Sequence, residues 1–166
     1  MTDQSEWTGK VGNVWAEEWQ RTDRSFGPLT QKLIAVARSA PFAQAIDIGC
    51  GAGEISLTLA AGAPSSHVLG VDISHDLLQV ARVRGKDRPN LRFELANAAN
   101  WHAGAAERPD LVVSRHGVMF FADPTAAFTH IAGQAAPGAR LAFSCFRERA
   151  DNIWARELAS IAPPGE

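Results

Sequence analysis

Ile46-Asp47-Ile48-Gly49-Cys50-Gly51-Ala52-Gly53-Glu54 reads as an apolar strand that empties into a glycine-rich turn and opens a helix. Glycine lets backbone adopt left-handed turns and come close to a ligand. In a doubly wound α/β sheet, such a turn lies at the carboxyl ends of the strands, where ligands bind. Outward from this stretch, short apolar runs alternate with helix-length segments, the pattern of a parallel sheet layered with helices. Strands are expected over 45–48, 67–72, 91–95, 110–114 and 139–146, and helices over 54–61, 74–84 and 124–136. Asp123-Pro124 begins the last helix and Pro137-Gly138 stops it.

Ahead of the first strand, two more helices are expected over 7–24 and 28–39, split by Phe26-Gly27-Pro28. Leu29, Leu33 and Ala37 give the second an apolar stripe. Trp15 and Trp19 stand one turn apart, so on one helix they share a face. They can roof a ligand or anchor that helix on the core. Phe120 and Phe121 read as core in preference to pocket.

Charge narrows the ligand. Asp72 closes the apolar run that begins at Val68 and falls 23 residues past Gly49, where a nucleotide-binding domain keeps its acceptor for ribose hydroxyls. A dinucleotide fingerprint would need glycine or alanine where this chain has Glu54, so that spacing fails. No Lys or Arg lies between Ile46 and Ser66 to meet a pyrophosphate, whereas Asp47 and Glu54 bracket the turn. A ligand with positive charge beside a carboxylate suits this arrangement, its cationic groups facing side-chain carboxylates and its carboxylate facing helix amides.

The rest of the composition excludes more than it assigns. The 166 residues are 46% hydrophobic and 20% charged, fit for one globular domain, with a formal charge of −2. Basic residues are scattered, so neither nucleic acid nor an anionic membrane is an expected partner. Cys50 and Cys145 have neither disulfide-framework nor metal spacing, and no metal site is expected. The polar amino terminus and the lack of a membrane-length apolar run lead to a cytoplasmic expectation, with no membrane insertion.

These motifs resemble the class I S-adenosylmethionine-dependent methyltransferases, whose first motif is similar to residues 46–53 and whose second acidic motif is similar to Gly70-Val71-Asp72-Ile73-Ser74. The likeness extends from about Trp7 to Phe146. It is strongest toward the small-molecule branch with the ubiquinone and menaquinone methyltransferases, through Asp110-Leu111-Val112-Val113-Ser114-Arg115 and residues 117–124. The resemblance implies a Rossmann-like, doubly wound sheet of about five parallel strands, with S-adenosylmethionine as cofactor and S-adenosylhomocysteine as product. It implies that Gly49 and Gly51 lie along the methionine moiety and that Asp47 orients its amino-acid end. Asp72 would accept from the ribose hydroxyls and Ile73 would pack on adenine. Gly53 and Ser114 are counted with the cofactor-binding positions, and Trp15 and Trp19 join them through their shared face, as a roof over the cofactor or the acceptor. Where the family usually has an acidic partner for the adenine amino group, this chain has Ala96-Asn97-Ala98, so Asn97 would accept through its side-chain oxygen and Ala98 would offer its amide.

The resemblance also sets the expected chemistry and its extent. The fourth strand ends in Ser114-Arg115-His116-Gly117, facing the transferred methyl group. Arg115 can hold an acceptor's anionic oxygen or pair with a carboxylate of the chain, and His116 can take a proton or merely cap a loop. The Asn/Asp-Pro-Pro-aromatic motif of nucleic-acid amino methylases is missing. The expected activity is methylation of a small-molecule acceptor at carbon or oxygen, the alternative being a non-catalytic cofactor-binding or regulatory domain. A helical cap over 1–40, a cofactor domain over 41–147 and an incomplete segment over 148–166 are expected. The last segment holds a helix over 152–161 and lacks the family's antiparallel strand pair. The fifth strand, apolar on both faces, would then have a free outer edge and invite self-association.

Overall fold

The computed structural model describes residues 4–104 and 106–153. Five strands, β1 (Gln44–Ile48), β2 (His67–Asp72), β3 (Leu91–Leu95), β4 (Leu111–Arg115) and β5 (Arg140–Ser144), form one sheet in the order β3-β2-β1-β4-β5. Every neighbouring pair is parallel. The order reverses between β1 and β4, and a crevice opens at such a switch point beyond the carboxyl ends of the strands. All five strands fall within two residues of their sequence-based limits, β5 being the one that is shorter at both ends.

Alternating side chains build two apolar layers. Ala45, Val68, Leu111, Val113 and Ala142 pack toward α3 (Trp19–Ala37) and α4 (Glu54–Gly62), where Leu33, Ile34, Ile55 and Leu59 meet them. Ile46, Ile48, Leu69, Val71 and Val112 face the opposite side, covered by Trp101, Val118, Phe121 and by Ala127 and Ile131 of α6 (Pro124–Gln134). Burial on both faces is what near-continuous apolar strands require. On the outer edge, Leu141 and Phe143 of β5 are about half exposed, at 47% and 45%, and β4 is the ladder partner of β5 among the described residues. The helix expected over 152–161 lies, from 154 onward, outside the described residues.

Side chains fix the helix ends. Ser74 caps α5 (His75–Gly85) through Leu77 N–H, and Asp123 caps α6 by accepting from Ala126 N–H at 2.9 Å. Asp123→Ala is expected to lower stability by about 1 kcal/mol, the usual loss of an N-cap acceptor, as read by urea unfolding.

The helices before β1 differ from the sequence reading. Instead of a break at Phe26-Gly27-Pro28, the chain forms α1 (Gln4–Trp7), α2 (Lys10–Glu17) and an α3 that runs through Pro28. Proline removes the N–H that would reach the Arg24 carbonyl, and an interior proline costs about 3 kcal/mol or more. Tertiary contacts on either side offset that loss. Asp23 pairs with Arg84 and Phe26 meets His116 before the proline, while Thr30 bonds Glu54 and Arg115 after it. Arg140 donates to the carbonyls of Ala37 and Ala40, holding the far end of the helix to β5.

Candidate functional site

A cavity of about 280 Å³ lies at the switch point, between the strand ends and the helices α2 and α3. The glycine turn forms its floor. Gly49 and Cys50 N–H both donate to the Val71 carbonyl, at 2.9 and 3.0 Å, which docks the turn on β2. Gly49, Gly51 and Gly53 all take positive φ. A Cβ at Gly49 would stand 2.7 Å from the Gly117 Cα, so close approach of two backbones demands glycine there. At Gly51 the same direction is empty, so this glycine leaves its backbone open to the cavity.

Two carboxylates sit beneath that floor. Asp47 is wholly buried, its Oδ2 accepts from Ser56 Oγ at 2.6 Å, and its Oδ1 has no hydrogen-bond partner among the described residues. Burial pushes its pKa up to about 6, against the opposing pull of the Ser56 hydrogen bond and the Arg115 charge. Asp72 braces the turn, accepting from Gly51 N–H through Oδ2 and from Ser74 N–H through Oδ1, each at 2.8 Å. Burial raises its pKa as well, and those backbone donors limit the rise. The Cys50 thiol, buried beside both, is pushed well up.

At the other end, Arg115 is bound inward. Its Nη1 donates to Glu54 Oε2 and, at 2.8 Å, to Thr30 Oγ1, and its Nη2 lies 4.0 Å from Asp23 Oδ1. Asp23 is shared with Arg84, whose guanidinium lies 3.9 Å from the centroid of the Trp19 ring. Of the two readings of Arg115, the geometry has it paired with the chain's own carboxylates. His116 has φ +67, uncommon outside glycine, and stacks on Phe146 at 4.2 Å with Phe26 edge-on at 5.1 Å. Burial and the neighbouring Arg115 charge lower its pKa, so its ring is neutral at pH 7.

Of the residues singled out in the sequence, Asp47, Gly49, Gly51, Asp72, Ile73, Asn97, Ala98, Arg115, His116, Trp15 and Trp19 all line this cavity. Gly53 and Ser114 stand behind it. A Cβ on Gly53 would meet Phe93 and Ala81, and Ser114 is fully buried, donating to the Ile48 carbonyl at 2.7 Å. The Asn97 oxygen expected to face adenine accepts from Ala99 N–H at 2.9 Å, forming a turn of its own. Trp15 and Trp19 reach the cavity from two helices meeting at Glu18, not from one shared face. Phe120 and Phe121 both line the cavity, while Phe121 is also part of the core.

Trp7, Thr22, Asp23, Phe26 and Phe146 also line the cavity and escaped the sequence reading. A signal existed for some of them: Trp19, Thr22, Asp23 and Phe26 follow the i, i+3, i+4, i+7 spacing of one helix face, visible once the helix continues through Pro28.

A doubly wound parallel domain with an acidic, glycine-floored crevice at its switch point defines the class. The methyltransferase domain family matches residues 45–138, and the chain belongs to that family. It is similar to the trans-aconitate 2-methyltransferase of Methylobacterium radiotolerans, 36% identical over 120 residues that cover 72% of this chain and 44% of that protein. It is also similar to the ubiquinone biosynthesis O-methyltransferase of Aromatoleum aromaticum, 30% identical over 136 residues, covering 78% and 57%. The chain thus spans about half the length of the curated relatives it matches. In fold it is similar to an N-methyltransferase of Bradyrhizobium japonicum solved with S-adenosylhomocysteine, with a TM-score of 0.61 at 22% identity over 70% of this chain and 59% of that one. No helix among the described residues is long and apolar enough to cross a membrane.

Proposed function

We propose that this chain binds S-adenosylmethionine in the switch-point cavity and methylates a small-molecule acceptor at oxygen or carbon. The observation that carries this reading is the orphaned Oδ1 of Asp47, a wholly buried carboxylate oxygen on a residue of the cavity wall. A buried acceptor without a partner is costly, and a ligand ammonium would satisfy it. The open backbone of Gly51 and the acidic lining fit the same cofactor, whose net charge is positive. Asp72, with a second lone pair on each oxygen, would receive the ribose hydroxyls. Ile73, Asn97 and Ala98 would line the adenine.

When bound, the cofactor supplies a methyl group on a sulfonium that an acceptor can displace in line, and the protein contributes orientation and a dry site. His116, neutral at pH 7, is the group able to take the proton of an acceptor hydroxyl. Arg115 positions rather than reacts, because its donors are held by Glu54 and Thr30.

Calorimetry tests the cofactor. Binding of S-adenosylmethionine and S-adenosylhomocysteine but not NADH is expected, and the opposite preference would overturn the proposal. Asp72→Ala should weaken cofactor binding by about 1–3 kcal/mol, the loss when hydroxyls forfeit a charged acceptor. Unchanged affinity in a folded variant would contradict the ribose role.

Asp47 adds a pH dependence of defined sign. Its folded-state pKa of about 6 lies above the ordinary 3.8, so between those values the folded chain keeps a proton that the unfolded chain has released. Stability of the free protein therefore falls as pH rises through that window, by up to about 3 kcal/mol. Ammonium binding favours the ionised carboxylate, so cofactor affinity should rise about tenfold from pH 5 to pH 7. Asp47→Asn should flatten that profile in the same calorimeter.

A further inference from the structure

The cavity that carries the proposed function is built unlike a receptor for an anion. Among the described residues its lining holds the carboxylates Asp23, Asp47 and Asp72 against one guanidinium, Arg115, and no lysine. That guanidinium is already engaged by Glu54, Thr30 and Asp23. To grip an acceptor carboxylate, Arg115 would have to leave Glu54 as a partly buried charge without its partner, which opposes the exchange.

Beside Arg115 and its carboxylate partners, the rest of that wall is aromatic. Phe26, His116 and Phe146 come together from α3 and from beyond the ends of β4 and β5, with centroids 4.2 to 6.3 Å apart. A second cluster joins Trp7 to Trp15 at 5.4 Å and to Phe120 at 5.0 Å. Trp7 Nε1 is a buried donor with no partner among the described residues, suited to a neutral oxygen. Flat rings gain contact and quadrupole complementarity from such walls, whereas a tricarboxylate would lose its hydration without recovering it.

We infer that the acceptor half of this cavity takes an uncharged, planar aromatic molecule bearing an oxygen, and rejects polycarboxylates such as the trans-aconitate in its relatives' names. The inference rests on the proposed cofactor site, and the test separates the two. The chain is first titrated with S-adenosylhomocysteine, then the loaded protein with 2-naphthol and with trans-aconitate by calorimetry. Naphthol is expected to bind at least about tenfold more tightly than trans-aconitate. In Glu54→Gln, which frees Arg115 from its nearest carboxylate, trans-aconitate binding should gain about tenfold. Failure of S-adenosylhomocysteine to bind would remove the proposed function and this inference with it. Cofactor binding with a wild-type preference for trans-aconitate, or with no naphthol binding, would overturn the inference alone, even if the variant failed to fold.

Discussion

Gly49→Ala is expected to destabilise the chain by roughly 2–6 kcal/mol, combining about 1–3 for a side chain at positive φ with about 1–3 for forcing atoms into a packed interior. The cause is specific. At φ +65 the new methyl carbon would stand 2.7 Å from the Gly117 Cα, backbone against backbone, with no flexible side chain to move aside. Relief requires β1 to separate from β4 at the switch point, where both cavity floor and sheet are made. Domains are commonly stable by about 5–15 kcal/mol, so the loss is a large fraction of the total. A thermal melt should fall by about 10 °C, given roughly 2–4 °C per kcal/mol for a domain of this size. Gly51→Ala is the contrast. Its φ is +54 but its Cβ direction is empty, so it should lose about 1–2 kcal/mol of stability and most of its cofactor affinity. If both variants melted alike, the Gly117 contact would not be what demands glycine at position 49.

The two glycines also mark how far sequence reading reaches. Strand limits were legible because apolar runs and turn residues act locally, and β2 and β3 match their expected ranges end for end. The acidic character of the turn was legible for the same reason. Which glycine meets a ligand and which meets another backbone was not, because Gly117 lies far along the chain from Gly49. The N-terminal helices failed on the same distinction. Pro28 carries a strong local signal to stop, and it is outweighed by Asp23, Phe26 and Thr30 reaching partners on α4, α5 and the end of β4, none visible in the local sequence. Arg115 was legible as a residue of interest at the end of β4. Its state was not, because Glu54 is 61 positions away.

That distant pairing leads to the other large effect. Arg115→Ala is expected to cost about 3 kcal/mol, the low end of what breaking a buried ion pair costs, because it strands a charge that folding has already desolvated. Arg115 and Glu54 retain 14% and 18% of their side-chain exposure, so water screens the pair little. The stranded group determines the pH dependence. Burial already raises the Glu54 pKa while the Arg115 charge pulls it down, so removing Arg115 lifts it further. A carboxyl whose folded pKa exceeds its unfolded value is penalised above that pKa and relieved below it. The damage in Arg115→Ala should therefore shrink as pH falls from 8 to 5, when Glu54 takes up a proton. Adding Glu54→Gln should recover at least about 1 kcal/mol, a coupling within the usual range for residues in contact. Urea unfolding of the single and double variants at both pH values measures this. Additive losses independent of pH would mean that the pair does not act as a unit. Coupled losses would identify the Arg115–Glu54–Thr30 contact as the tether that keeps α3 folded across Pro28 and presents Asp23 and Phe26 to the cavity.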